Sequence, residues 1–366
     1  MMEKPHRKSA EMIVRQAEPL NLETPLDQAD TYLTPSELFY VRSHFDTPRI
    51  DPALYRLVID GAVAKPFSFT YQQLKELPSE TRVATLECAG NGRSFLTPRV
   101  PGVQWGLGAV GNAEWTGVPL THLLERVGLK DNACEVVLEG ADRGQPNEGP
   151  ADADPISYAR SISKVKALSG DVLVAYEMNG HALAPEHGYP VRAVVPGHYG
   201  MASVKWLTHI EAVTSPFRGY WQTSDYAYWA RSNGQQVRQA LGEMEPKSEI
   251  VRPRASARIG PNEQCTIKGI AWAGETEVIQ VCVSTDGGQT WSEATLLDPA
   301  RPHAWRRWTF DWRTPRTPGR YSLLSRAAAA GGGVQPDTRD PRYGSYVINH
   351  VVPTDVIVER ADRRSR

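Results

Sequence analysis

Apolar positions in this chain fall mostly in short β-branched runs broken by Gly, Pro, Asn and Asp, so strands outnumber helices in the predicted fold. Residues 54–60, 83–87, 136–138 and 172–176 read as strands, and a further one ends at Val195. Two segments carry a helical pattern. Thr70 to Leu77 is short and ends before Pro78, while Thr116-Gly-Val-Pro119 opens a helix with Leu120, Leu123, Leu124 and Val127 at i, i+3, i+4 and i+7 and Gly128 closing it. Beyond residue 250 the pattern is strictly β: Ile279, Val281 and Val283 alternate with Gln280, Cys282 and Ser284, and Asp286-Gly-Gly288 makes a hairpin turn. Trp291 to Leu297, Trp305 to Trp312 and Tyr321 to Arg326 supply more strands, which together predict a β-sandwich. The charged stretch Glu243 to Arg258 holds two prolines and marks a domain boundary near 250. Residues 1–35 are polar, carry four prolines and lack periodicity; they read as a tail, with order beginning near Leu33.

Composition narrows the function classes. A chain of 366 residues exceeds what one core usually serves, in keeping with two domains. With 41 basic and 42 acidic residues the net charge is −1, which gives no global attraction for nucleic acid or an acidic membrane. Any anion site must be local. Cys88, Cys134, Cys265 and Cys282 have neither paired metal spacing nor the density of a disulfide scaffold, which suits a reducing compartment. The first 20 residues lack an apolar core, no later run approaches the roughly 18 residues of a membrane span, and Arg363-Arg364 lies at the wrong end for an export signal. The expectation is a soluble, cytoplasmic protein.

Candidate chemistry centres on residues 83–93, where a buried strand stops at Cys88 and the loop Gly90-Asn-Gly-Arg93 follows. Such a loop presents one thiol to a site, and the Arg93 charge would lower its pKa. The sulfur could bind a soft metal, attack an electrophile or be a small buried hydrophobe. Upstream, Arg42 and His44 stand two apart after Leu38-Phe-Tyr-Val41, so both can face one anion. Asp142 follows the 136–138 strand, placed either for a ligand or for capping a turn, and residues 143–156 read as a loop. Glu186-His187, Arg192, His198, Ser203 and Lys205 crowd cations and turns into twenty residues, a pattern suited to one phosphate-bearing ligand. Trp105 between glycines reads as packing, and the aromatic stretch 216–232 as a hydrophobic lid. Ser284 to Trp291 matches a sialidase-type Asp-box once only, so it is a turn.

Several blocks in order resemble the molybdenum-cofactor domain of the sulfite oxidase family: Phe39-Tyr-Val-Arg42-Ser-His44, Thr85-Leu-Glu-Cys88-Ala-Gly-Asn-Gly-Arg93, Ala175-Tyr-Glu-Met-Asn-Gly180, Glu186-His-Gly-Tyr-Pro-Val-Arg192 and Ser203-Val-Lys-Trp206. Gly269-Ile-Ala-Trp-Ala-Gly274 with Val283-Ser-Thr-Asp-Gly-Gly-Gln-Thr-Trp291 resembles its immunoglobulin-like dimerisation domain. The resemblance implies an α+β fold: a tail over 1–32, a molybdopterin-binding domain over 33–248 and the sandwich over 249–366. It implies Cys88 as thiolate ligand to molybdenum, and the pterin held by Tyr40, Val41, Arg42, Ser43, His44, Asp142, His187, Arg192, Ser203, Val204 and Lys205. Arg93, Trp105 and Tyr226 would line the substrate pocket, with Arg42 near the anion. One family Arg, within an Asn-Leu-Arg-Gly segment, has no counterpart, because Tyr343-Gly-Ser-Tyr346 stands in its place; Arg339 or Arg342 could supply the charge.

The implied activity is oxygen-atom transfer with a small anion, sulfite first, by a haem-free homodimer whose electrons leave to a separate acceptor, a cytochrome or oxygen. Neither nucleic acid nor a membrane is an expected partner. Three rivals stay open: a reductase of an oxyanion or S-oxide, an enzyme with Cys88 as nucleophile served by His187 or His44, and a metal-free binding protein of the same fold.

Overall fold

The computed structural model describes residues 8–146 and 154–360. The first unit is built on two five-stranded sheets. In one, the order is His181–Ala182, Leu173–Met178, Val110–Pro119, Glu80–Glu87, with Arg192–Val194 also paired to Leu173–Met178. In the other it is Phe67–Thr70, Arg56–Gly61, Leu207–Val213, Glu135–Gly144, Ile156–Ser163. One parallel pair, Leu207–Val213 on Arg56–Gly61, interrupts that otherwise antiparallel sheet. Leu57, Ile59, Val136, Leu138 and Ile210 project from it into a continuous core. The predicted helix forms as Leu120–Val127 with its four apolar residues buried, and Gly128 ends it at φ +71°, a conformation glycine adopts without strain. Thr116–Pro119 belongs to the preceding strand and does not open the helix.

The second unit pairs Lys247–Arg252, Gln264–Trp272, Arg306–Arg313 and Thr295–Leu296 in one sheet, and Arg258–Ile259, Thr354–Val358, Gly319–Ala329, Val278–Ser284 and Ser292–Glu293 in the other. Ile267, Val281, Trp308, Leu323 and Val356 fill the space between them, so this is a β-sandwich. The expected boundary near 250 falls inside strand Lys247–Arg252. Asp286 accepts from the backbone N–H of Gln289 and Thr290, which makes the Asp-box segment a turn as expected.

Three expectations need correction. Residues 8–32 are not a free tail: Ile13–Gln16 pairs with Asn21–Glu23, and Leu22 exchanges two backbone bonds with Val41. The polarity that suggested disorder is buried polarity, since Asn21 is fully enclosed and Glu23 accepts from the N–H groups of Gly106 and Gly108. The aromatic lid at 216–232 is instead a π-helical turn, Trp221–Asp225, followed by a hairpin of Ala227–Ser232 and Gln235–Ala240. Of the loop expected over 143–156, Arg143 and Gly144 still belong to a strand and residues 147–153 lie outside the described residues.

Candidate functional site

Strand Glu80–Glu87 delivers Cys88 to the floor of two adjoining spaces, a narrow cleft and a wide funnel. The loop after it is tied at both ends: Cys88 N–H donates to Ala109 O at 2.9 Å and Asn91 N–H to Cys88 O at 2.8 Å. Asn91 also donates to Glu87 at 3.1 Å and accepts from Ala109 N–H at 3.0 Å. Glycine is needed at position 102, where φ is +102° and a Cβ would lie 2.7 Å from Nη1 of Arg93. Arg93 thus folds back beside the thiol, donating from Nη1 to Val103 O and from Nε to Ser345 O. The expected drop in the thiol pKa does not follow. Burial pushes Cys88 up, and Arg42 and then Arg93 oppose the rise only in part.

The cleft side gathers the basic residues. Lys205 Nζ donates to Ser43 Oγ and Glu186 O, both at 2.9 Å, and stands 4.2 Å over the Trp206 ring. Arg192 donates to the carbonyls of His187 and Ser203, its guanidinium rests on Trp115, and burial brings its pKa down to about 10. Arg42 donates to Asn21 Oδ1 at 3.3 Å and to Ser43 O. His187 is buried, with Nε2 2.6 Å from Nζ of Lys8, a residue that also donates to Ser36 O and Phe39 O. Asp142 faces the same space; burial raises its carboxyl to about 7 against the pull of Lys205. Tyr40, Val41 and Ser203 also line the cleft, with Ser203 Oγ accepting from Val195 N–H.

His44 and Tyr226 join the cleft to the funnel through a 2.7 Å bond between Nε2 and Oη. The imidazole packs between Tyr158 and Trp221, and burial, then Arg42, pushes its pKa well down. His44 therefore adds a polar contact and no positive charge, unlike the anion grip expected of it with Arg42. Two other expectations fail on placement. Trp105 is fully buried, edge-on to Tyr40, and faces neither space. Val204 points into the core, with its carbonyl bonded to Ala193 N–H and its own N–H to Ala202 O.

Arg339 and Arg342 supply no replacement charge: neither lines the funnel, and Arg342 is exposed and paired with Asp340. Tyr346 lies there instead, its hydroxyl 2.5 Å from Asp225 and its ring 5.2 Å from the Arg93 guanidinium. Lys8, Asn21 and Tyr158 were not anticipated. The contacts that bring them to the site are distant in sequence, Lys8 with His187, Asn21 with Arg42 and Tyr158 with His44, so no local pattern marks them.

The donor set suits a polyanionic ligand. Among the described residues, Arg192 is buried and Arg42 and Lys205 half-buried, no ion pair to a carboxylate forms at any of the three, and the bonds they donate go to neutral oxygens. Clustered cations without an ion-pair partner, offset only at longer range by Asp142, suit an anion. Gly200 leaves room beside them, since a Cβ there would stand 2.6 Å from Tyr40 Oη. A single soft sulfur at the edge of this basic cleft is the donor arrangement of a metal carried by a phosphorylated organic group.

Comparison with known proteins gives the class and then the family. The "oxidoreductase molybdopterin binding domain" matches residues 44–221 and the "Mo-co oxidoreductase dimerisation domain" residues 238–343. The chain is 35% identical to the sulfite oxidase of Gallus gallus over 90% of its own length and 73% of that protein. It is 34% identical to the mitochondrial sulfite oxidase of Homo sapiens, covering 90% of the chain and 62% of the relative. The sulfane dehydrogenase SoxCD of Paracoccus pantotrophus superposes with a TM-score of 0.81 at 30% identity, over 97% of this chain and 90% of that one. The protein is thus a molybdopterin-binding oxidoreductase. It belongs to the sulfite oxidase family.

Proposed function

We propose that this protein holds a molybdenum–pterin cofactor in the basic cleft and oxidises a small sulfur oxyanion that enters by the funnel, passing electrons to a separate acceptor. One observation carries the reading: Arg192, buried, and Arg42 and Lys205, half-buried, converge without an ion-pair partner beside Cys88, which opens to both spaces. Arg192, Lys205, His187 and Ser203 would hold the pterin and its phosphate, and Cys88 would ligate the metal. When bound, the cofactor supplies a metal that takes up an electron pair and exchanges an oxygen atom with the substrate sulfur. The chain's own groups bind and orient. Arg42 and Arg93 draw the anion to the sulfur end of the funnel, and Tyr226, fixed by His44, lends a hydroxyl at the junction.

A Cys88 nucleophile is disfavoured because the Nε2 atoms of its two candidate bases are engaged elsewhere, on Tyr226 and Lys8. Dimerisation through the sandwich is part of the proposal, supported by the match to the dimerisation-domain model. The test uses protein from a cofactor-competent host: molybdenum and pterin near one per chain, with sulfite oxidised while ferricyanide is reduced. Metal-free protein, or faster reduction of nitrate or sulfoxides by a reduced viologen, refutes it.

A further inference from the structure

The funnel is much larger than an inorganic oxyanion needs. It offers about 560 Å³, within the range of sites that enclose drug-sized ligands. Four arginines line it: Arg15, paired with Glu23, and Arg99 lie away from the thiol, and the other two stand at its inner end. There Arg42 and Arg93 flank Cys88, and both are partly committed: Arg93 has given Nε and Nη1 to the carbonyls of Ser345 and Val103, and Arg42 has given Nη1 to Asn21 and Ser43. Rings and hydrocarbon from Tyr220, Tyr226, Tyr346, Pro101 and Val103 make one stretch of its wall, while Arg15, Gln16, Arg99 and Gln104 keep the rest polar.

Tyr346 sets the charge as well as the shape. Its hydroxyl donates to Asp225, whose carboxylate also lines the funnel and offsets part of the charge of its arginines. The Tyr346 ring, 4.9 Å from Tyr226 and 5.2 Å from Arg93, offers the next few ångströms to an apolar group. Inorganic sulfite would touch the arginines and leave the aromatic wall to water.

From this geometry we propose that the sulfur oxidised here is carried on an organic group, as a sulfinate R–SO2⁻ whose anionic end meets Arg42 and Arg93 and whose R group lies along Tyr346, Tyr226 and Tyr220. The reaction is R–SO2⁻ + H2O → R–SO3⁻ + 2 H⁺ + 2 e⁻. One S–O bond forms, two O–H bonds of water break, and the electron pair lost by sulfur goes to two equivalents of a one-electron acceptor, such as a ferric complex. The proposal rests on the reading of this site as a sulfur oxidase and names its substrate class.

The experiment measures kcat/KM of the holoenzyme for benzenesulfinate and for sulfite with ferricyanide as acceptor. Benzenesulfinate is expected to lead by about tenfold or more, the scale on which apolar contacts discriminate. Tyr346→Arg should move the ratio toward sulfite by a similar factor, and Tyr346→Leu should reduce benzenesulfinate turnover more than sulfite turnover. A turnover-free arm titrates benzenesulfonate and sulfate into the enzyme calorimetrically, with tighter binding expected for benzenesulfonate. Preference for sulfite in wild type, or sulfate bound at least as tightly as benzenesulfonate, overturns the organic-substrate proposal and leaves sulfur oxidation standing. Molybdenum-replete protein that oxidises neither compound overturns the sulfur-oxidase reading itself.

Discussion

Cys88 is held on both flanks by backbone bonds while its side chain opens to two spaces, so replacing sulfur by oxygen changes a ligand without disturbing the loop. Cys88→Ser is expected to lower turnover by more than the roughly 10–100-fold typical of changes one layer away from a metal, with extracted pterin close to wild type. Near wild-type turnover would refute the ligand role. Lys205 acts on a different quantity. Its ammonium lies against Ser43 Oγ and the Glu186 carbonyl with no carboxylate in ion-pair contact, so Lys205→Ala should lower pterin per chain on release and fluorimetry. Equal pterin content in wild type and mutant would remove it from the anchoring set. Cys88 and Arg42 are readable as chemistry because each follows an apolar run, and Arg192 and Lys205 because cations recur there between Gly and Pro turns. Lys8 and Asn21 are not, because what gives them meaning is His187 and Arg42, which the fold brings from elsewhere.

Strand Leu207–Val213 runs between the only parallel neighbour described in its sheet and an antiparallel one, and His209 links all three strands on the outer face. Its imidazole lies 3.5 Å from Glu139 and 2.8 Å from Asp60, and the two carboxylates, Glu139 foremost, raise its pKa to about 9. A raised folded-state pKa contributes stability that is complete below the unfolded value near 6.5 and is lost as pH climbs through about 9. The group is half exposed, so solvent screening keeps the contribution to about 1 kcal/mol or less. His209→Asn should lower the melting temperature slightly at pH 6 and not at pH 10; a pH-independent difference would mean packing alone. This strand went unread in the sequence, as did Ile156–Ser163 and the hairpin about Asn233-Gly234, because partly exposed polar residues blur their alternation. Helix Leu120–Val127 and the Asp286-Gly-Gly288 turn are legible because helical period and turn chemistry are local, whereas strand partners are chosen by distant residues.

At the scale of the whole molecule, the sandwich reaches into the active-site loop of the first unit. Trp272 donates to Glu87 at 2.9 Å, and Lys247 Nζ lies 3.3 Å from the same carboxylate and 3.4 Å from both Asn91 O and Glu249. Glu87 and Asn91 bracket Cys88, so the second unit fixes the thiol's floor from behind as well as supplying Ser345 and Tyr346 to its funnel. A second bridge, near the surface, sets Lys166 between Asp171 and Glu275, with His303 beside Asp171. That cluster has the acids and imidazole of a metal site, but the ammonium already stands where a cation would sit. The inner network is the more consequential because it is dry: Lys247 and Glu87 are almost wholly enclosed, and burial lifts Glu249 to about 7 despite Lys247. Removing the one cation from between two enclosed carboxylates leaves charge unpaired, a change that typically costs about 3–5 kcal/mol. Lys247→Met should therefore destabilise the apo-protein by about that amount in urea, and should reduce pterin retention because the Asn91 carbonyl loses its partner. Adding Glu87→Gln should restore much of the stability, since the unpaired charge goes with it, but not the retention, since Asn91 then has neither neighbour as before. If the single mutant melts like wild type, the two units are merely adjacent and the loop holds Cys88 unaided.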